Sequence, residues 1–261
     1  MGIKRILVTG ANGQLGKSLQ DLSKSFLTMD FMFLGKSDLD ITSVNEIREW
    51  FEKYHPDYCV NCAAYTQVDQ AEKTPLDAYN VNVKGVENIA TASREWGTTL
   101  IHISTDYVFD GKKKEGYLPT DKPNPINVYG KTKLEGERAI QERMEKYFII
   151  RTSWLYSKKY PPNFYLTILD RARKGEPLSV TDTQKGCPTD AANLAQHLLE
   201  KIKSETVDYG ISHFTDRVPM TWYEFARLIL KSEGLLNEVR LQKAENYHTF
   251  AVRPENSILC P

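Results

Sequence analysis

The sequence has no excess of charge of either sign. Lys and Arg together number 34, Asp and Glu together also number 34, and the formal net charge of the 261 residues is zero. A neutral protein exerts no long-range attraction on nucleic acid or on an anionic membrane surface, so an anionic ligand must be bound by a local site. We therefore expect neither a nucleic-acid partner nor a membrane partner.

Long apolar runs are also missing. No stretch approaches the roughly 18 consecutive apolar residues of a membrane-spanning helix. The first residues lead directly into a strand-like run, without the profile of a signal peptide. We expect a cytoplasmic protein whose length suits one large α/β domain, or one domain with a smaller lobe.

Cysteine is scarce, with four in the chain, which is typical of a reducing compartment. Cys59 and Cys62 form a Cys-x-x-Cys pattern, which elsewhere indicates zinc or redox chemistry. Here the pair lies in an apolar, strand-like run, and residues three apart in a strand point to opposite faces. No second Cys or His pair has ligand spacing, so we interpret both as buried strand cysteines.

Short apolar runs alternate with amphipathic stretches through the first half of the chain. The pattern predicts strands over residues 6–9, 31–34, 58–63, 99–103 and 147–150, and helices over residues 14–22, 44–51, 75–90 and 128–143. Strands that alternate with helices require a parallel sheet with helices on both faces. We therefore predict a doubly wound, Rossmann-like α/β fold with right-handed crossovers.

A glycine pattern follows the first predicted strand. Gly10, Gly13 and Gly16 have the spacing Gly-x-x-Gly-x-x-Gly between a strand and a helix, the context in which such a pattern binds a dinucleotide. Glycine lets the backbone approach a pyrophosphate closely, and the helix N-terminus supplies N–H groups and a positive dipole. A tight turn that merely contains glycines is the alternative interpretation.

Beyond about residue 152 the alternation loosens. Helices are predicted over residues 164–173, 190–203 and 222–232, and short strands over residues 178–180 and 211–214. We expect residues 1–151 to form a dinucleotide-binding core. Residues 152–261 should form mainly a small C-terminal substrate lobe, with some segments returning to the core.

The end of the second predicted strand bears on the choice of cofactor. An acidic residue there usually binds the ribose 2′-hydroxyl of NAD, whereas Lys36 and Ser37 suit the 2′-phosphate of NADP better. Asp38 and Asp40 follow closely, and either is a candidate to hydrogen-bond adenine or ribose. We expect NADP(H) to be preferred, with NAD(H) as the alternative.

Two further patterns indicate carbonyl reduction. Tyr129 and Lys133 stand four residues apart on one helix face, where the ammonium can stabilise the phenolate left after proton donation. Ser104 and Thr105 follow the fourth predicted strand, and hydroxyls there face the crevice in which open α/β sheets bind ligands. Thr105 is the candidate for orienting a substrate carbonyl, although a plain strand-end cap is the alternative.

These segments resemble the extended short-chain dehydrogenase/reductase superfamily and, within it, the dTDP-4-dehydrorhamnose reductases. The matching segments cover nearly the whole chain and are residues 10–16, 61–69, 104–111, 127–137, 151–156 and 253–257. The resemblance implies reduction of the C4 keto group of dTDP-4-dehydro-6-deoxy-L-mannose to give dTDP-L-rhamnose. Thr105, Tyr129 and Lys133 would be catalytic, with Tyr129 as the proton donor.

The resemblance also implies contacts to both ligands. The implied cofactor contacts are Gly10, Gly13, Gln14, Leu15, Asp40, Ile41, Ala63, Ala64, Asn82, Tyr129 and Lys133. The implied contacts to the nucleotide sugar are Thr66, Val68, Thr105, Tyr107, Tyr129, Trp154, Asn163 and Arg253.

The sequence departs from that family at two places. Some members dimerise around magnesium bound by glutamates, one of them just after the glycine loop, where this chain has Lys17, Ser18 and Leu19. We therefore expect no such metal site. We expect the protein to be a monomer or a homodimer. The sequence ends at Pro261, where members continue through another helical segment, and a shortened terminus predicts weaker substrate affinity.

Two alternatives to this reductase stay open. A non-catalytic, NADP-binding regulatory subunit resembling methionine adenosyltransferase β keeps this fold, but it has Ser-Ser-Asp in place of Ser104-Thr105-Asp106 and lacks Arg-Thr-Ser-Trp. The second alternative is another nucleotide-sugar reductase or an epimerase. A dehydratase needs a carboxylate pair beside the threonine, and only Asp106 stands there.

Overall fold

The fold is built on parallel strands, as described by a computed structural model that covers residues 2–245 and 248–260. The strands are β1 Lys4–Thr9, β2 Met29–Leu34, β3 Tyr58–Asn61, β4 Thr99–Thr105, β5 Tyr147–Thr152, β6 Leu155–Tyr156, β7 Leu178–Val180, β8 Lys185–Gly186, β9 Thr189–Asp190, β10 Gly210–His213, β11 Met220–Thr221 and β12 Leu241–Lys243. Six of them form one sheet in the order β10-β5-β4-β3-β1-β2, and every pairing in it is parallel. The predicted doubly wound fold is confirmed.

Helices cover both faces of this sheet. They are α1 Gln14–Ser23, α2 Val44–Tyr54, α3 Val68–Lys73, α4 Pro75–Tyr79, α5 Val86–Glu95, α6 Val128–Arg143, α7 Phe164–Arg173, α8 Ala191–Lys203 and α9 Trp222–Ser232. Helices α2, α5 and α6 pack on one face and α1 and α8 on the other. No helix in residues 2–245 and 248–260 combines the length and apolar character needed to cross a membrane.

Consecutive residues of β1 are apolar because they are buried on both faces of the sheet. Leu7 packs into the core on one face of the sheet, whereas Ile6 and Val8 pack into the core on the other. Side chains alternate between faces, and both faces of a parallel sheet are buried. The same alternation separates the two cysteines, because Cys59 belongs to the first core and Cys62 packs against the second. The interpretation as a buried strand cysteine is confirmed for Cys59, whereas it was wrong for Cys62, which follows the end of β3, is half-buried and lines the cleft.

The second half of the chain contributes to the sheet and also forms an apolar cluster of its own. Strand β10 pairs with β5, and α8 packs against α1. Helices α7 and α9 meet in the separate cluster through Ile168, Leu169, Phe225 and Ile229. Helix α9 begins with a capping box between Thr221 and Glu224, a pattern visible in the sequence.

The helix predicted over residues 75–90 was wrong as a single element. Over those residues the structure has the short helix α4, a π-helical turn at Asn80–Gly85, and then the start of α5. The π turn places Asn82 where its side chain bonds both the N–H and the C=O of Tyr65. Side-chain spacing alone does not predict this tertiary contact. Strand β4 also runs to Thr105, so Ser104 and Thr105 end the strand rather than follow it.

Candidate active site

A cleft of about 720 Å³ lies at the carboxyl ends of the parallel strands. Its walls come from the segments after β1, β2 and β3, from the ends of β4 and β5, and from the second half of the chain. It opens between β1 and β3, where the order of the strands reverses and open α/β sheets bind their ligands.

Most of the side chains predicted for the site line this cleft. They are Gly10, Gly13, Gln14, Leu15, Asp40, Ile41, Ala63, Ala64, Thr66, Val68, Thr105, Tyr107, Tyr129, Lys133 and Trp154. Asn82, Asn163 and Arg253 are not on the cleft wall.

The glycine turn at the start of α1 leaves no room for side chains. Gly10 has φ of +63°, and a Cβ atom there would lie 2.6 Å from the backbone nitrogen of Ala63. A Cβ at Gly16 would lie 2.6 Å from Cα of Ala11. Gly13 is the N-cap of α1 and provides no side-chain hydrogen bond to the first turn, whose N–H groups therefore suit an anion. This cradle fits the pyrophosphate of a dinucleotide.

The carboxylates of the acidic residues after β2 accept hydrogen bonds from neighbouring residues of the same loop. The Asp38 carboxylate accepts a hydrogen bond from the N–H of Gly35 at 2.9 Å. The Asp40 carboxylate accepts from the N–H and hydroxyl of Thr42, and these bonds hold the pKa of Asp40 below its usual value. Lys36 is exposed and lines the cleft together with Asp40, so a basic group is available to a ligand here.

Helix α6 brings Tyr129 and Lys133 to the ends of the strands. The Asn127 side chain caps the helix by accepting from the N–H of Gly130 at 2.7 Å. A Cβ at Gly130 would lie 2.1 Å from the carbonyl oxygen of Tyr107, so only glycine allows α6 to approach the turn after β4 this closely. That approach places Tyr129 close enough to the Thr105 hydroxyl for the hydroxyl to affect the pKa of the phenol.

Burial controls the protonation of both helix residues. It raises the pKa of the Tyr129 phenol to about 12, against the opposing effect of the Thr105 hydroxyl. It lowers the pKa of Lys133 to about 8, against the opposing effects of Glu137 and Cys62. Near neutral pH the phenol therefore holds its proton, and the lysine is mostly an ammonium. This is the protonation expected of a proton donor beside a cation.

Asp106 adds a buried carboxyl group next to Thr105. Its side chain is 2% exposed, and burial raises its pKa to about 6 against the opposing effect of nearby hydroxyl groups, among them that of Thr105. The Thr105 hydroxyl donates to Asp106 Oδ1 at 3.1 Å and accepts from the N–H of Tyr107 at 3.2 Å. These bonds hold the threonine hydroxyl at the cleft wall.

A buried ion pair underlies the same strand end. Arg151 bonds both carboxylate oxygens of Glu137, with Nε–Oε1 and Nη2–Oε2 distances of 3.0 and 2.7 Å. The Ser104 hydroxyl donates to the same carboxylate. Ser104 thus directs its hydroxyl toward Glu137, contrary to the expectation that both strand-end hydroxyls serve the crevice.

Asn82 and Asn163 support the cleft from behind its wall. Asn82 is 1% exposed and holds the segment after β3 through Tyr65, with a third bond to Thr132. Asn163 caps α7 and donates to the Gln14 side chain at 2.9 Å. Direct contact of either amide with a ligand stays a prediction.

Arg253 is bound to α3. Its guanidinium forms two hydrogen bonds with the Asp69 carboxylate, at 3.1 and 2.8 Å. Asp69 lies in the first turn of α3, and it also accepts from the N–H of Ala251. The Asp69 carboxylate is thus one anionic partner of this guanidinium, and it ties the segment around Arg253 to α3. Its contact with substrate remains a prediction.

Trp222 is a cleft residue that the sequence reasoning missed. It is the first residue of α9, and its ring stacks on Trp154 with 3.6 Å between centroids and 5° between planes. Its Nε1 donates to the side chain of Gln184. A tryptophan directly after a capping threonine was the available signal. Nothing local to α9 indicated that its first turn faces Trp154.

Comparison with known proteins identifies the family. A sequence profile described as the RmlD substrate binding domain matches residues 4–260. The chain is 42% identical to dTDP-4-dehydrorhamnose reductase of Aggregatibacter actinomycetemcomitans, over 98% of its own length and 90% of that protein. The chain belongs to the dTDP-4-dehydrorhamnose reductase family. Its members are NAD(P)H-dependent oxidoreductases, and the resemblance inferred from the sequence is confirmed.

Two other members of the family bear on ligands. The crystal structure of the Bacillus anthracis reductase in complex with NADP has a TM-score of 0.94 at 39% identity, covering 100% of this chain and 91% of that one. The dTDP-4-keto-6-deoxy-D-glucose reductase of Streptomyces niveus is 35% identical over 98% of this chain and 88% of that protein. Family membership alone therefore leaves the sugar configuration open.

Proposed function

We propose that this protein reduces the C4 keto group of dTDP-4-dehydro-6-deoxy-L-mannose to give dTDP-L-rhamnose, with NADPH as the preferred reductant. The observation that carries the proposal is the meeting of Thr105, Tyr129 and Lys133 in the cleft that also contains the glycine cradle. The names of the most similar relatives support the choice of substrate.

The proposed chemistry assigns one task to each of the three side chains. NADPH, when bound, supplies a hydride to C4 of the sugar. Tyr129 donates its proton to the carbonyl oxygen, which completes the alcohol. The Thr105 hydroxyl orients that carbonyl by a hydrogen bond, and the Lys133 ammonium stabilises the phenolate until Tyr129 regains a proton.

The cofactor preference is tested at Lys36. Replacing it with alanine should raise the KM for NADPH about five- to tenfold, the effect of losing one exposed charge contact of about 1 kcal/mol. The KM for NADH should change less than about twofold, because no 2′-phosphate is present. Steady-state kinetics with both nucleotides checks this. Equal changes for the two would contradict a 2′-phosphate contact, and Lys53→Ala on α2 is the exposed-lysine control.

The activity itself is tested by mixing the protein with NADPH and enzymatically prepared dTDP-4-dehydro-6-deoxy-L-mannose. Loss of nicotinamide absorbance, with dTDP-L-rhamnose as the product, is the expected result. The keto sugar of the D-gluco configuration is run in parallel, and faster turnover of that substrate would overturn the choice of sugar. Tight NADPH binding without turnover of either sugar would favour the regulatory-subunit alternative.

A further inference from the structure

Four buried polar side chains form a hydrogen-bond chain beneath the cleft. Thr9, Asn61, His102 and Lys133 are each at most 2% exposed. The Thr9 hydroxyl donates to Asn61 Oδ1 at 2.7 Å, Asn61 Nδ2 lies 3.0 Å from His102 Nδ1, and His102 Nε2 lies 3.3 Å from Lys133 Nζ. We call this set the buried polar chain. It links β1, β3 and β4 to the lysine of the proposed catalytic set.

A backbone group determines the direction of the buried polar chain. The N–H of Ala63 points at Asn61 Oδ1 at 3.2 Å. A backbone N–H only donates, so it identifies that atom as the oxygen and turns the amide nitrogen toward His102. An amide nitrogen also only donates, so His102 Nδ1 must accept. The hydrogen of the neutral imidazole then lies on Nε2, facing Lys133.

This direction suits an uncharged lysine. A neutral amine accepts the hydrogen of His102 Nε2 and donates one of its own to the carbonyl oxygen of Ile103, 2.7 Å away. An ammonium has no lone pair and would meet the imidazole hydrogen directly. To accommodate the ammonium, the imidazole hydrogen must move to Nδ1 and the Asn61 amide must rotate, which brings its nitrogen against the N–H of Ala63.

We propose that Asn61 and His102 are positioning residues that couple the charge of Lys133 to the direction of the buried polar chain. The chain runs from Thr9 toward Lys133 when the lysine is neutral, and it reverses when the lysine is an ammonium. The reversal costs free energy, so the chain weakens proton binding by Lys133. The catalytic meaning of this coupling rests on the proposed function, whereas the coupling itself does not.

Other ionisable groups lie around Lys133, and each either favours its ammonium form or leaves it unaffected by staying uncharged. From α6, Glu137 favours the ammonium, but its carboxylate is bound by Arg151 of β5. After β3, burial raises the pKa of the Cys62 thiol, which therefore stays uncharged. Tyr129, on the same helix, is neutral until its own pKa of about 12. Burial and Lys133 together hold the pKa of His102 well below its usual value, so the imidazole stays neutral and only its hydrogen moves.

The coupling is tested without substrate by nitrogen NMR of the ¹⁵N-histidine-labelled full chain. The His102 signal, assigned with His102→Gln, should change from the Nδ1–H to the Nε2–H tautomer as pH rises from about 6 to about 10. In Lys133→Met the change should disappear. A single His102 tautomer across this range in the unmodified protein would overturn the proposal, whatever the enzyme assay shows.

The kinetic consequence is tested with Asn61→Ser. A hydroxyl donates or accepts equally well, so the chain reverses without rotating an amide, and Lys133 keeps its proton to higher pH. The alkaline limb of the kcat profile should move up by about one pH unit, a tenfold change in proton binding. The KM for NADPH at neutral pH should stay within about twofold.

His197→Gln on α8 is the matched control, because that histidine lies away from the buried polar chain and should leave the limb in place. Asn61→Thr offers the same hydroxyl with more bulk if the serine variant does not fold. An unchanged limb in an active hydroxyl variant would contradict the kinetic role. Absence of turnover in the unmodified protein would refute the proposed function and leave the NMR result to decide the coupling.

Discussion

Tyr129→Phe should lower kcat for the reduction by about a hundred- to ten-thousandfold, the range for removal of a general acid. The phenol lines the cleft and holds a transferable proton at neutral pH, since burial raises the pKa of Tyr129 to about 12. The substitution removes only an oxygen, so the glycine cradle keeps its shape. The dissociation constant for NADPH should stay within about twofold, because the glycine cradle and Lys133 are unchanged and only one of the implied cofactor contacts is altered.

Single-turnover kinetics measures the effect of Tyr129→Phe on the chemical step. Fluorescence titration with NADPH measures its effect on cofactor binding. Tyr165→Phe is the matched control, because Tyr165 is a buried tyrosine of α7 whose hydroxyl bonds Glu233 outside the cleft. That variant should keep kcat within about twofold. Substantial turnover by Tyr129→Phe would remove the phenol from the mechanism. Loss of NADPH binding would instead show that the Tyr129 hydroxyl organises the cofactor site.

Glu137→Gln should lower the free energy of unfolding by about 3–5 kcal/mol, the cost of breaking a buried ion pair. Both partners are at most 1% exposed, and the guanidinium of Arg151 would stay buried without its counter-charge. The neutral amide keeps one acceptor oxygen, but in either orientation its NH₂ group faces an N–H of Arg151 that donates to the native carboxylate. Urea denaturation followed by circular dichroism measures the loss.

Two comparisons make this stability prediction specific. Asp170→Asn breaks an ion pair with Lys174 whose partners are 62% and 59% exposed, and it should cost less than about 0.5 kcal/mol. Replacing both Glu137 and Arg151 with methionine should recover part of the loss, because no unpaired charge then stays buried. A Glu137→Gln variant as stable as Asp170→Asn would mean that water reaches the pair.

Local chemistry explains why the cradle and the Tyr129–Lys133 pair were predictable. A tight turn between a strand and a helix needs glycine at set positions, and two residues four apart on a helix share a face in any fold. The bounds predicted for α6, α7 and α9 agree with the structure for the same reason. These inferences needed no knowledge of distant residues.

Sequence patterns could not predict the partners of side chains that meet distant elements. The contact of Arg253 with Asp69, far away in sequence, was not expected, and its contact with a ligand stays a prediction. The buried polar chain draws on β1, β3, β4 and α6, and Trp222 reaches the cleft because α9 packs beside Trp154. Which donor meets which acceptor depends on competition among all groups that the fold brings within reach.

Composition, periodicity and glycine spacing were thus enough to predict the layered sheet, the glycine turn and the shared helix face of Tyr129 and Lys133, because each depends on steric rules that act over a few residues. The three-dimensional packing alone decided the partners of Arg253, the π turn at Asn82 and the hydrogen-bond direction at His102. A buried polar group must find a partner wherever the folded chain provides one, and linear order does not encode that choice.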